Sequence, residues 1–186
     1  PPEDDFEQRI RDDYQLIFKG LLRSYRTKKP LIAAIEGDCI AGGVEILQGT
    51  DIRVAGEGSR FGVSEARWGL FPQGGSTTRL VRQIPYTAAM EMLLTGSHYP
   101  ARKALEWGLV GHVVPAGDAL GKAKEIATTI AANGPVAVRK IKEAVLASEC
   151  VRDQDARPIE MEIGMQVFAT EDAKEGPRAF KEKRKP

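Results

Sequence analysis

The sequence predicts an α/β fold followed by a helical C-terminal region. Three observations lead there: short apolar runs bounded by glycine or proline, helical periodicity between those runs, and almost unbroken helical patterning over the last third. A chain of 186 residues is long enough for one substantial core. We place the boundary near Pro115, with residues 1–115 as part of an α/β core and 116–186 as a helical region.

The elements follow in order. Apolar residues at Phe6, Ile10, Tyr14, Ile17, Leu21 and Tyr25 recur in steps of three or four, which predicts one long amphipathic helix ended by Pro30. Leu31 to Ile35 is an unbroken apolar run between Pro30 and Gly37, the pattern of a strand buried on both faces. Gly42-Gly43 then opens a helical stretch from Val44 to Leu47, stopped by Gly49. Asp51 to Ala55 and Arg60 to Val63 read as strands separated by the turn residues Gly56 to Ser59. A loop with Gly69, Pro72, Gly74 and Gly75 leads into helices at Ser76–Gln83, Tyr86–Leu94 and Ala101–Trp107, the second preceded by Pro85. Leu109 to Val114 is the last strand. Asp118 is placed to cap a helix over Ala119–Ala132, Pro135 starts another to about Ser148, and Arg157–Phe168 and Asp172–Lys183 complete the helical region.

Composition excludes several classes of function. With 27 Lys and Arg against 26 Asp and Glu, the formal charge of +1 gives no long-range field for nucleic acid. No apolar run approaches the roughly 20 residues of a membrane span, so the chain reads as soluble and no membrane partner is expected; the expected location, a separate reading, is the cytoplasm. Cys39 and Cys150 are too few for a disulfide framework and are expected to be reduced, buried thiols. His98 and His112 lack partners at metal-ligand spacing, so both read as structural and no metal site is expected. The opening Pro1-Pro2-Glu3-Asp4-Asp5 has no initiator Met and runs at once into a helical pattern, as expected of a piece of a longer chain.

The chemistry concentrates in Ile35-Glu36-Gly37-Asp38-Cys39-Ile40-Ala41-Gly42-Gly43-Val44-Glu45. A strand feeding a glycine turn and a helix leaves the first helical N–H groups unpaired and pointing outward, able to hold an anion. No Gly-Lys-Ser/Thr follows and no third glycine stands at dinucleotide spacing, which weakens a phosphate reading. Glu45 weakens it further, because a carboxylate in that first turn repels phosphate. A carboxylate beside oxyanion donors suits chemistry next to a carbonyl: the donors stabilise an enolate while the carboxylate moves a proton. By spacing alone Glu45 reads first as a dipole-complementing first-turn glutamate, so spacing is not enough to make it catalytic.

Several separated segments carry a resemblance. Lys29 to Gly37, Ile40 to Glu45, Asp51 to Ala55 and Phe61-Gly62-Val63-Ser64-Glu65 resemble the signature of the crotonase (enoyl-CoA hydratase/isomerase) superfamily. Gly74 to Leu80, Met92 to Gly96, Ala104 to Val110, Phe168 to Asp172 and Phe180 to Arg184 continue it in the same order. The resemblance implies a spiral core of stacked ββα turns, lacking its N-terminal part here, with a helical C-terminal trimerisation region. It also implies a homotrimer or hexamer acting on an acyl-CoA thioester without a prosthetic group, coenzyme A being part of the substrate. By position Gly42 matches an oxyanion-hole donor, and Glu45 and Glu65 match the two glutamates that hold and deprotonate water in family hydratases. Isomerases of the family usually keep one, and divergent members keep neither. Both are present, so the expected activity is enoyl-CoA hydration in fatty-acid or steroid side-chain β-oxidation, with an isomerase or a catalytically silent assembly protein as alternatives.

Ala41 and Gly43 flank the donor and are assigned to substrate binding with it. Trp68 and Leu70, just past Glu65, either line an acyl pocket or pack into the core. Lys183, in the basic run from Lys181 to Lys185, lies either on a solvated helix face or against a CoA phosphate of a neighbouring subunit, as the resemblance implies. Glu36 stands where the family often has asparagine and is expected to be solvated or paired with a basic group. The family's other oxyanion donor belongs to an Ala-Gly-x-Asp-Leu segment that has no match here, so half of that hole is expected to lie outside this sequence.

Overall fold

The structure is a computed structural model and describes residues 4–185. The chain forms two compact units, Pro1–Thr27 with Leu31–Glu125, and Lys28–Pro30 with Ile126–Pro186.

In the first unit the expected long helix is two short ones, α1 (Asp5–Asp12) and α2 (Gln15–Gly20). The break is chemical. Asp13 leaves the helical region at φ −131°, its carboxylate accepts the Gln15 N–H at 3.0 Å, and it pairs with Lys19 at 3.0 Å. An Asp side chain bonded two residues ahead competes with the helical ladder. Gly20 ends α2, and Leu22 follows at a φ of 53°.

The strands β1 (Ile32–Ile35), β3 (Ile52–Gly56) and β6 (His112–Val114) form a parallel sheet in the order β1-β3-β6. A second sheet, in the order β2-β4-β5, pairs β2 (Asp38–Ile40) parallel to β4 (Arg60–Gly62) and β4 antiparallel to β5 (Tyr99–Pro100). Strands β2 and β5, at three and two residues, are too short to announce themselves by alternation. β1 is not buried on both faces as its composition suggested: Ile35 is buried but Ala34 is exposed. It is an edge strand among the described residues, paired only with β3. The last strand starts at His112 instead of Leu109, because the Leu109 N–H is used to close a turn onto Ala104 O at 2.8 Å.

The unit also holds α3 (Gly42–Leu47), the 3-10 turn Glu65–Trp68, α4 (Ser76–Gln83), α5 (Tyr86–Thr95) and α6 (Ala101–Glu106). Their inward faces bury Val44, Phe61, Leu80, Met92 and Leu109 completely. Each such side chain contributes roughly 1.5–3 kcal/mol through removal from water, so this cluster fixes where α3 and α4 sit.

Glu36 is exposed, as expected, but its partners are main-chain N–H groups instead of a basic side chain. Its Oε1 accepts the N–H groups of Gly117 at 3.1 Å and Ala119 at 3.0 Å, the latter the first residue of α7 (Ala119–Ala131). A carboxylate on those orphan donors, at the positive end of the helix dipole, does what Asp118 was expected to do.

The second unit is built on α8 (Pro135–Ser148), α9 (Asp153–Phe168) and α10 (Glu171–Lys181), with α8 packed along α9. Helix α9 begins four residues before Arg157, since Asp153 and Asp155 supply an acidic first turn and Asp153 pairs with Arg157 at 2.6 Å. Cys39 is buried but Cys150 is exposed, just past the end of α8. No helix among the described residues is long and apolar enough to cross a membrane, and none of their His, Cys, Asp and Glu side chains group into a metal site.

Candidate active site

The glycine turn between β2 and α3 sets the site's first half. Ala41 donates its N–H to Gly62 O at 2.8 Å, which fastens the turn to β4. Its φ of 52° with ψ of −119° lies in a region that side-chain-bearing residues rarely adopt, and such strain costs on the order of 1–3 kcal/mol. The turn is held there by the surrounding bonds. Since the Glu45 N–H bonds to Ala41 O at 3.1 Å, the ladder of α3 begins at Glu45 and leaves the N–H groups of Gly42, Gly43 and Val44 outside it.

Glu45, placed by the next turn of α3, is only 4% exposed. Its Oε1 receives the Ser76 N–H at 3.4 Å. Burial pushes the carboxyl's pKa above the usual glutamate range, and the charge of nearby Glu65 adds to this. The amides of Ser76 and Gly74 and the Ser76 hydroxyl pull it back in part. A desolvated carboxylate with a raised pKa is a stronger base wherever it remains ionised.

Glu65 opens the 3-10 turn, a segment that reads as loop from the sequence. Its carbonyl accepts the Leu70 N–H at 2.9 Å. One carboxylate oxygen, Oε2, is buried without a hydrogen-bond partner among the described residues. Buried acceptors normally have a partner, so this oxygen is placed to meet a group that enters the site. The residue before it, Ser64, shares a 2.7 Å hydrogen bond with His98, which gives that histidine its structural role. The structure thus brings Gly42, Glu45 and Glu65 to one site.

The polar network behind Glu45 is what sequence reasoning missed. Arg79, 7% exposed, donates to the main-chain oxygens of Glu45 and Gly74 at 2.7 Å each and to Leu22 O at 3.0 Å. It ties α4 to α3 and to the chain after α2. Gln48 and Ser76, fully buried, bond to each other at 2.9 Å, and the Gln48 carbonyl accepts from Gln83 at 2.9 Å. Arg53 joins the same layer through Gln83 Oε1 at 2.8 Å and Leu109 O at 3.0 Å. Burial brings the Arg53 guanidinium down to about 10, with the Arg79 charge adding to the shift, and it stays charged near neutrality. The available signal was compositional: an arginine and two polar residues on otherwise apolar faces.

Trp68 and Leu70 do not pack into the core. Trp68 is 77% exposed and Leu70 65%, with Phe71 beside them at 66%, all within a few residues of Glu65. The 3-10 turn closes on Gly69 at a φ of 67°, which points this segment outward. Lys183 belongs to the second unit, two residues beyond α10, at a φ of 55° and exposed.

The family model described as enoyl-CoA hydratase/isomerase matches residues 5–186. The chain belongs to that family. It is 56% identical over all 186 residues to the enoyl-CoA hydratase EchA19 of Mycobacterium tuberculosis (strain ATCC 25618 / H37Rv), covering 69% of that relative. It is 36% identical to a carnitinyl-CoA dehydratase of Proteus mirabilis over 91% of the chain and 66% of that relative. A solved enoyl-CoA hydratase/isomerase structure from Mycobacterium abscessus superposes with a TM-score of 0.90 at 54% identity, covering 93% of this chain and 72% of that one. The chain thus spans about two thirds of the length of the curated relatives it matches. Its α/β architecture with helical C-terminal region is the crotonase fold of this family.

Proposed function

We propose that the protein is an enoyl-CoA hydratase, adding water across the 2,3 double bond of an enoyl-CoA thioester to give a 3-hydroxyacyl-CoA. The observation that carries this reading is a pair of carboxylates: buried Glu45, held by Ser76, and half-buried Glu65, with one oxygen buried and unpartnered among the described residues. The thioester carbonyl sits on the Gly42 N–H at the start of α3, with Ala41 and Gly43 shaping that turn. Donation there stabilises the enolate that forms as oxygen adds to the β-carbon. Glu45, surrounded by donors that favour its ionised form, accepts a proton from the water. The α-carbon receives its proton by way of Glu65, so that the proton Glu45 takes from water balances the one passed to carbon and the pair returns to its starting state. No prosthetic group takes part, since the thioester supplies the activation.

The acyl group is apolar, a fatty-acyl or steroid side chain, and Trp68 and Leu70 flank it beside Glu65; their exposure supports a surface that a substrate covers. The enzyme works in the cytoplasm as a homotrimer or hexamer. Support for assembly comes from the second unit, where Ile141 and Val145 remain exposed along a groove of about 400 Å³ between α8 and α9, and Met161, Met165 and Phe168 of α9 are exposed as well. In such an assembly Lys183 meets a CoA phosphate of a neighbouring subunit.

The test uses the full-length enzyme in oxygen-18 water with a 2-enoyl-CoA. The hydroxyacyl product carries the label, and Glu45→Gln and Glu65→Gln each lower turnover by at least about 100-fold. The double variant loses far less than the product of the two, because both groups serve one water. If Glu65→Gln leaves conversion of a 3-enoyl-CoA to its 2-enoyl isomer intact and no labelled product forms, the protein is an isomerase.

A further inference from the structure

We propose that Ser76 is a positioning residue for Glu45, and that Gln48 sets the direction in which the Ser76 hydroxyl donates. The inference rests on the reading of Glu45 as the base.

Ser76 is the first residue of α4 and is completely buried. Its main-chain N–H lies 3.4 Å from Glu45 Oε1, so residue and carboxylate are neighbours. A serine hydroxyl has one proton to give and two lone pairs to accept with. Gln48 Nε2 is a donor only, and it stands 2.9 Å from Ser76 Oγ, so that contact occupies a lone pair and leaves the hydroxyl proton for another acceptor. The Glu45 carboxylate is the acceptor beside it. The amide meets Ser76 through its nitrogen end, and Gln48 Oε1 is buried with no hydrogen-bond partner among the described residues. The opposite arrangement would turn the hydroxyl proton toward Gln48, away from Glu45, and would leave Gln48 Nε2 without the Ser76 acceptor.

The consequence is electrostatic. Donors to the ionised form favour it, and the Ser76 hydroxyl and amide oppose what burial and the Glu65 charge do to Glu45. Glu65 is the charged group facing the Glu45 carboxylate from the 3-10 turn, while Arg79 of α4 reaches Glu45 through its main-chain oxygen. The main chain of Gln48 is anchored as well, its backbone carbonyl accepting from Gln83, which also accepts from Arg53. The relay therefore has a fixed end at β3 and α4 and a working end at the carboxylate.

The experiment compares pH profiles of turnover for the full-length enzyme and its Ser76→Ala, Ser76→Thr and Gln48→Met variants. Ser76→Ala adds no volume, so the fold is retained; thermal melts check it. The ascending limb moves to higher pH by about half to one unit in Ser76→Ala and in the same direction by less in Gln48→Met, with KM changed less than about twofold. Ser76→Thr keeps the hydroxyl and keeps the limb in place. The titration of Glu45 is read separately by carbon-13 NMR of labelled glutamate, its resonance identified by its loss in Glu45→Gln. If Ser76→Ala lowers turnover by one factor at every pH and leaves the Glu45 titration unmoved, Ser76 only packs, and the proposal is overturned. An unmoved limb in Gln48→Met overturns the part given to Gln48. Should the wild-type enzyme form no hydroxyacyl product while Ser76→Ala still moves the Glu45 titration, the hydratase reading fails and the positioning contact stands.

Discussion

Gly74 lies so close to the Glu45 carboxylate that a Cβ built on it would stand 2.0 Å from Oε2 and 2.4 Å from Cδ. The carboxylate is in effect seated on bare backbone. A methyl group there must displace the glutamate, since the other side is bounded by Arg79, Ser76 and the core. Gly74→Ala is therefore expected to lower turnover at least about 10-fold and to cost about 1–3 kcal/mol of stability, as overpacking does. Steady-state kinetics and urea unfolding of the full-length enzyme measure both. Normal turnover would place the working carboxylate elsewhere.

Glu45 also predicts a trade between stability and activity. Its folded-state pKa is raised, by burial first and by the Glu65 charge in addition. A raised carboxyl contributes stability that is complete below the ordinary glutamate pKa and is lost as pH rises through the folded value. Glutamine does not titrate, so Glu45→Gln should gain in melting temperature relative to wild type as pH goes from 5 to 8 while turnover collapses. A gap that stays constant over that range would mean that Glu45 is not held in the environment described.

Glu36 and Gly56 form a second pair of this kind, since a Cβ on Gly56 would lie 2.2 Å from Glu36 Oε2. Glu36→Ala removes the acceptor for the Gly117 and Ala119 N–H groups and should cost about 0.5–2 kcal/mol, the range for loss of a helix cap. Turnover should change by less than about twofold, because the contact is made with the start of α7 and not with the segment from Gly42 to Glu45. Hydrogen exchange at Gly117 and Ala119 reports the loss directly. Unchanged protection in the variant would remove Glu36 from that role.

Ala41 offers a test in the opposite direction. At a φ of 52°, ψ of −119°, it occupies backbone space that glycine enters without penalty. Ala41→Gly should therefore stabilise the protein by up to about 1 kcal/mol after the extra freedom of the unfolded chain is deducted. Denaturant titration decides it, and a loss of stability would show that the turn is not strained in solution.

How much of this was legible differs element by element. Helices α4, α5, α6, α8 and α10 follow from capping residues and period, and their starts were read to within a residue or so. The α1–α2 break was not, because apolar spacing continues unbroken through Asp13 and Tyr14 while the Asp13 side chain diverts the backbone. The 3-10 turn that carries Glu65 was invisible for another reason: four residues are fewer than any periodic signal needs.

The sequence by itself determined the alternation of strand and helix, the glycine turn before α3, and the candidacy of Gly42, Glu45 and Glu65, because these depend on local chemistry and on motifs contiguous in the chain. Only the tertiary structure decided which groups surround Glu45. Gln48, Gly74, Ser76 and Arg79 are separated from it by between 3 and 34 positions, and they act through burial and hydrogen-bond direction. Tertiary structure also settled that Trp68 and Leu70 face outward, that Cys150 is exposed, and that Glu36 serves the start of α7. Each of these is a relation between distant segments, fixed by how the core closes, and hydrophobic period along a single segment carries no information about it.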